Sequence, residues 1–247
     1  MDAGTARSLY QTASRTHHVL AVPNAASLLN ANCNDLWANA LNLHARGECD
    51  WFAMLHSDVV PEPWWLDTLV NEAEAVGADL LSVLVPIKDR KGLTSSGLSD
   101  PGHPIRPWCR FTLSQALHPS FPGTFDALAA AEALRGLPDD LRHDVPAGAV
   151  LYANTGCMAV RLSGRWPLAG AWFETRDRLY RMAGGRWGVE VLPEDWYFTS
   201  RVAAAGGRVC CTSRVKVHHV GAAAYPSREP WGSPRDLWCE QQRAKEA

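Results

Sequence analysis

Three places in the chain carry groups capable of acid–base or metal chemistry at the ends of apolar runs. The stretch "FAMLHSDVVP" (52–61) passes from apolar residues into His56, Ser57 and Asp58. "PEDWYFTSRVAAAGG" opens with Glu194 and Asp195, and "RVCCTSRVKVHHVG" closes on His218 and His219. A carboxylate at the mouth of an apolar strand is costly unless it is paired. One carboxylate, one imidazole and the phosphate oxygens of a substrate suit a divalent ion such as Mn²⁺ or Mg²⁺. Such an ion can neutralise a diphosphate leaving group. Each motif also has an ordinary reading: a strand-end Asp as a turn residue, paired histidines as half-exposed packing, Asp195 as a helix cap. A base at the head of a helix has a further drawback, because the dipole stabilises its anion and lowers its basicity.

The elements that must position these groups follow from periodicity. "HHVLAVPN" (17–24) reads as a buried strand ended by Pro23-Asn24. "SLLNANCNDLWANALNLHARG" has helical spacing with Gly47 as its stop, and "WFAMLH" is the next strand. "EPWWLDTLVNEAEAVG" reads as a helix entered at Pro63 and left at Gly77, followed by the continuous apolar strand "ADLLSVLVPI". Strand, helix, strand, helix, strand with short links predicts parallel strands covered by helices, an α/β layered domain. The Gly-, Pro- and Ser-rich stretch from Lys88 to Arg110 reads as a long loop. "TFDALAAAEALRGLPDDL" predicts a helix, and "GAVLYANTGCMAVRL" predicts two short strands around Asn154, Thr155 and Gly156. A tight hairpin is one reading of that turn; a glycine that lets the backbone approach a ligand is the other. The region after Tyr225 lacks a convincing core face.

At 247 residues and 47% hydrophobic content the chain can form one large core. A net charge of −2 gives no global reason to favour a polyanion partner. Seven scattered cysteines without a C-x-x-C pair predict reduced thiols rather than a disulfide frame or zinc site. No apolar run reaches the ~20 residues of a membrane span, and no signal-peptide core is present. These features predict a cytoplasmic protein.

Taken in order, H-S-D at a strand end, N-T-G, P-E-D-W and H-H-V-G resemble the GT-A glycosyltransferases, especially the family-2-like branch. The resemblance spans roughly residues 15 to 225. It implies a three-layer, Rossmann-like GT-A domain over residues 1–225, with a mostly parallel central sheet, and a C-terminal tail over 226–247. It implies transfer of a sugar from a nucleotide-diphosphate donor, a UDP-sugar above all, to an acceptor hydroxyl, with Mn²⁺ or Mg²⁺ as cofactor and inversion at the anomeric carbon, with retention as the alternative outcome. Asp58 matches the second Asp of the family's D-x-D and would be the main metal ligand. His219 best matches the closing histidine, with His218 second. Asp195 matches the carboxylate serving as general base, and Glu194 would position the acceptor or support Asp195. Pro23, Asn24, Asn39, His56, Ser57 and the Asn154-Thr155-Gly156 loop would line the donor pocket. Trp172 and Trp196, with Phe173, would form an aromatic platform for the acceptor, although core packing is the commoner fate of such rings. Lys88, Arg90 and Lys91 would meet a phosphate or form a solvated turn.

Two departures bear on the nucleotide. "GTARSLYQTASR" near the start reads as the family's first helix, so its first strand is expected to be absent: the sheet is smaller than usual, another segment fills its edge, or the start lies upstream; and His56 stands where the first Asp of D-x-D belongs. The alternative is a non-catalytic nucleotide-sugar-binding protein derived from a transferase. A nucleotidyltransferase would need a Gly-rich phosphate loop, which the sequence lacks. Acceptors within the resemblance range from glycans and small molecules to the hydroxylated DNA bases modified by phage-associated enzymes. A basic groove along Arg106, Arg110, Arg176, Arg178, Arg181 and Arg186 would favour DNA.

Overall fold

The computed structural model describes residues 12–24, 28–89, 91–164, 166–181, 185–221 and 224–230, with the side chains of 104–106 and 224 left out. The chain forms a mixed α/β fold. Its central sheet has the order β1 (Trp51–Leu55), β8 (Cys157–Arg161), β3 (Leu80–Val83), β11 (Val209–Thr212), β6 (Thr124–Phe125). The expected mostly parallel sheet is corrected to a mixed one: β1, β3 and β11 run in one direction, but β3–β11 is the only parallel pairing, because β8 enters antiparallel between β1 and β3, and β6 adds antiparallel to β11.

Residues alternate across this sheet with the period of two that a strand imposes. On one face Phe52, Met54, Leu80, Met158, Val160 and Cys211 meet helices α1 (Leu29–Ala45), α4 (Ala127–Gly136) and α5 (Glu194–Ala204). On the other, Leu81, Val83, Cys157, Ala159 and Cys210 meet Trp65, Leu66, Leu69, Val70 and Ala73 of α2 (Trp65–Val76). Helix, sheet and helices thus make three layers. Within the first core Trp37 stacks on Trp166 at 6.3 Å and meets Phe52 and Phe198 edge-on. Gly77 ends α2 in the left-handed region at φ 67°, a conformation glycine adopts without steric cost.

The predicted strand at 17–24 does not form. Those residues are an exposed coil, with Leu20 at 64% exposure. The segment before them is held by α2 rather than by the sheet: Asp67 accepts from the Ser14 hydroxyl, the Thr16 hydroxyl and the Arg15 amide. Among the described residues no strand pairs with the outer edge of β1. The predicted helix at the start lies largely outside the described residues.

The predicted loop from Lys88 to Arg110 is instead a long antiparallel pair, β4 (Leu93–Asp100) and β5 (His103–Thr112), joined on its other side by β7 (Leu151–Tyr152). Its composition hid it, because β4 buries Thr94, Ser96 and Ser99. Gly97 is required there, since a Cβ would lie 2.2 Å from the Cys109 carbonyl oxygen. A short capped helix, α3 (Leu113–Ala116), follows β5. Strands β7 and β8 both form, yet they belong to different sheets, so Asn154-Thr155-Gly156 is a crossover and not a hairpin. Two further strands, β9 (Arg176–Arg181) and β10 (Trp187–Leu192), form a hairpin leading directly into α5. A small sheet of β2 (Val59–Pro61), β12 (Val217–Val220) and β13 (Ala224–Pro226) closes the fold. The boundary expected after Tyr225 falls inside β13, where Pro226 pairs with His218; residues 231–247 lie outside the described set.

The six described cysteines are free. No helix among the described residues is long and apolar enough to cross a membrane.

Candidate active site

The sharp bend after β1 carries Asp58 to the start of β2, and β2 pairs antiparallel with β12 so that Val59 lies opposite His219. The Val220 amide donates to the Asp58 carbonyl at 2.7 Å, which locks the two segments together. His219 Nε2 consequently sits 3.5 Å from Asp58 Oδ2. Adjacent strand residues point to opposite faces. His218 therefore turns away and takes a hydrogen bond from Arg228, which leaves His219 alone facing Asp58. The Pro86 carbonyl accepts from His219 Nδ1 at 2.6 Å. In the neutral ring this leaves the Nε2 lone pair directed at Asp58. A third group joins them: Lys88 Nζ lies 2.5 Å from the same oxygen, Asp58 Oδ2. Burial opposes charge on Asp58, yet the Lys88 hydrogen bond, the charge of His219 when its ring is protonated, and the Lys88 charge outweigh it, holding the carboxyl below the usual carboxylate range.

Asp195 lies in a different environment. Pro193 is the cap of α5, so Asp195 is not the N-cap; it stands in the first turn, 8% exposed. Its Oδ1 accepts from the Trp196 amide at 2.7 Å and its Oδ2 from Asn154 Nδ2 at 3.0 Å. Burial, with the neighbouring Glu194 charge, raises its pKa to about 7 despite those two donors and Arg110. Desolvation thus outweighs the helix dipole that would lower its basicity. The same Asn154 accepts from the Gly156 amide at 2.7 Å, so the crossover orients the carboxyl. A Cβ at Gly156 would meet Asn154 Oδ1 at 2.7 Å and His56 Nδ1 at 3.6 Å. His56, Gly156, Asn154 and Asp195 therefore form a continuous wall from the β1 corner to the head of α5. Thr155 faces inward, fully buried.

A cavity of about 870 Å³ follows the outer edge of β1, and Pro23, Asn24, Asn39, His56, Ser57 and Asp58 all line it. Three buried polar atoms on its lining, Asn32 Oδ1, His56 Nε2 and Trp65 Nε1, have no hydrogen-bond partner. Burial lowers the pKa of His56, with the Asp58 and Glu194 charges acting against that. His56 is thus within electrostatic reach of both carboxyl regions.

The aromatic platform is corrected in part. Trp196 is 2% exposed, donates to the Ser95 carbonyl, stacks on Tyr152 at 5.0 Å and carries the Arg110 guanidinium on its ring. It is core, as is Phe173, stacked on Phe198 at 4.1 Å. Trp172 remains exposed, beside Tyr197 at 5.7 Å and under the Arg201 guanidinium. Of the arginines read as a basic groove, Arg176, Arg178 and Arg181 share β9 and Arg186 precedes β10, whereas Arg110 lies over Trp196. The Arg106 side chain and Arg90 lie outside the described residues.

Two roles were not legible beforehand. Asn154 holds the Asp195 carboxyl, a contact whose partners stand 41 residues apart. Arg110 reaches Trp196 from a strand that composition disguised as a loop.

No trio of His, Cys, Asp or Glu that could hold a metal converges among the described residues. Asp58 and His219 do offer a hard oxygen and an imidazole lone pair to one point, close enough for a single ion to touch both. With only two such donors, a divalent ion there would need further oxygen ligands from outside the chain. Comparison with known proteins returned no matching family model, no similar curated protein and no similar solved structure.

Proposed function

We propose that the chain is a metal-dependent glycosyltransferase that moves a sugar from a nucleotide-diphosphate donor to an acceptor hydroxyl. The observation that carries this reading is a pair of carboxyls tuned in opposite directions along one wall. Asp58 is held ionised beside His219 and Lys88, while Asp195 keeps its proton to about pH 7. Sites in which titratable groups are pushed apart suit a division of labour between charge stabilisation and proton transfer.

A divalent ion held by Asp58 and His219, Mn²⁺ or Mg²⁺, would offset the charge developing on the departing diphosphate. Asp195, ionised near neutral pH, accepts the proton of the acceptor hydroxyl. That oxygen bonds to the anomeric carbon as the bond from this carbon to the diphosphate oxygen breaks. Attack opposite the leaving group gives inversion. Asn154 and the Trp196 amide each take one lone pair of Asp195 and fix its plane. The remaining lone pairs are available to the acceptor. The β1 cavity, bounded by His56, Ser57 and Asp58, would receive the donor in this reading.

The test is incubation with a panel of nucleotide-sugars and Mn²⁺ while following release of the nucleotide diphosphate. Slow hydrolysis of one donor, a UDP-sugar first among them, is expected, and Asp58→Ala should remove it. Binding of a nucleotide-sugar without any turnover, with metal and candidate acceptors present, would favour a non-catalytic binding protein instead.

A further inference from the structure

The Asp58 corner is built from three separate segments, and two of them bring positive or cation-seeking groups to one oxygen. Lys88 Nζ at 2.5 Å and His219 Nε2 at 3.5 Å both face Asp58 Oδ2. The turn after β3 serves both: Pro86 orients the imidazole through its carbonyl, and Lys88 follows two residues later. Gly221, two residues beyond His219, clears the path of the lysine stem, since a Cβ there would lie 2.9 Å from Lys88 Cδ. While His219 is neutral, a carboxylate oxygen and an imidazole lone pair directed at each other repel unless a cation lies between them. The ammonium supplies the positive charge that this pairing needs.

We propose that Lys88 is a built-in counter-cation of Asp58, which a divalent ion must displace in order to bind. The inference rests on reading Asp58 and His219 as cation ligands. It assigns Lys88 as a positioning residue that keeps the corner charge-balanced and makes metal loading weak on its own. Once displaced, the ammonium adds to the positive charge around the ion. That excess favours entry of the ion together with an anionic diphosphate rather than alone. The lysine side chain is about one-third exposed (34%), so the competing ion pair is partly screened and its removal should be felt as a modest factor.

The test is Mn²⁺ alone, titrated against wild type, Lys88→Met, Lys88→Arg and Asp58→Asn, with bound ion read from loss of the free-ion electron paramagnetic resonance signal. Lys88→Met should bind Mn²⁺ roughly three- to tenfold more tightly than wild type. Lys88→Arg, which retains a cation, should stay near wild type, and Asp58→Asn should lose binding. Thermal melts of each variant check that the fold survives. Equal or weaker Mn²⁺ affinity in Lys88→Met, or no binding in any variant, overturns the role of Lys88. Donor turnover by wild type with unchanged affinity in Lys88→Met would sink the lysine and leave the transferase reading standing. Tighter Mn²⁺ binding in Lys88→Met with no donor turnover would do the reverse.

Discussion

Asp58 and Asp195 are the same side chain at two ends of one wall, and their surroundings give them opposite chemistry. Asp58 is 40% exposed and touches an ammonium and an imidazole, so it stays charged. Asp195 is buried beside Glu194, and its two hydrogen-bond donors do not offset that burial, so it holds its proton far above the ordinary range. The lesson is that helix position alone did not set the basicity of Asp195. Its burial, with the Glu194 charge beside it, did.

The largest effect is expected at Asp195, the proposed proton acceptor. Asp195→Asn should lower transfer by ~10²–10⁴-fold while donor binding persists. Near-normal transfer would remove Asp195 from the mechanism. Wild-type transfer should rise with pH and level off above about 7, where Asp195 is ionised. A second consequence concerns stability. The folded carboxyl keeps its proton to about pH 7, whereas the ordinary value is 3.8, so wild type loses stability as pH rises between those values. Asparagine cannot ionise. The melting temperature of Asp195→Asn should therefore gain on wild type between pH 4 and pH 8, by an amount corresponding to a few kcal/mol at most.

A smaller effect sharpens the same contrast. Asn154→Ala removes a donor that favours the Asp195 anion, so the ascending limb of the pH–rate profile should move to higher pH by about half a unit to one unit. A limb that stays put would mean that the crossover does not tune the base. The smallest effect belongs to the other end. The lowered pKa of Asp58 contributes stability above its ordinary 3.8 that is lost as pH falls below it. With Asp58 so exposed, Asp58→Asn should cost under ~1 kcal/mol by denaturant melts at pH 7, even as it abolishes metal binding.

How much of this was legible in the sequence depended on where burial came from. The helices at Leu29–Ala45, Trp65–Val76 and Glu194–Ala204 and the strands at Trp51–Leu55 and Leu80–Val83 bury apolar periodic runs, and local pattern located them. The run at 17–24 has equally apolar residues but no neighbouring strand among the described residues, and Asp67 anchors the chain just before it, so it stays coil. Conversely, β4 and β5 are strands because Gly97 allows close approach and buried Thr and Ser side chains find partners such as the Ser96 carbonyl and the Val150 amide. Composition reads such residues as loop. At the site, the pairing of β2 with β12 decided between His219 and His218, a choice sequence order left open. The contact between Lys88 and Asp58 spans 30 residues and depends on a turn whose geometry no motif encodes.

The most direct measurement is a carbon-13 NMR titration of aspartate side-chain carboxyls, with Asp58→Asn and Asp195→Asn providing the assignments. One resonance, absent from Asp195→Asn, should titrate near pH 7, while the resonance absent from Asp58→Asn should protonate at lower pH than an ordinary aspartate. If both carboxyls titrate together in the ordinary aspartate range, the division of labour between the two ends of the wall does not exist.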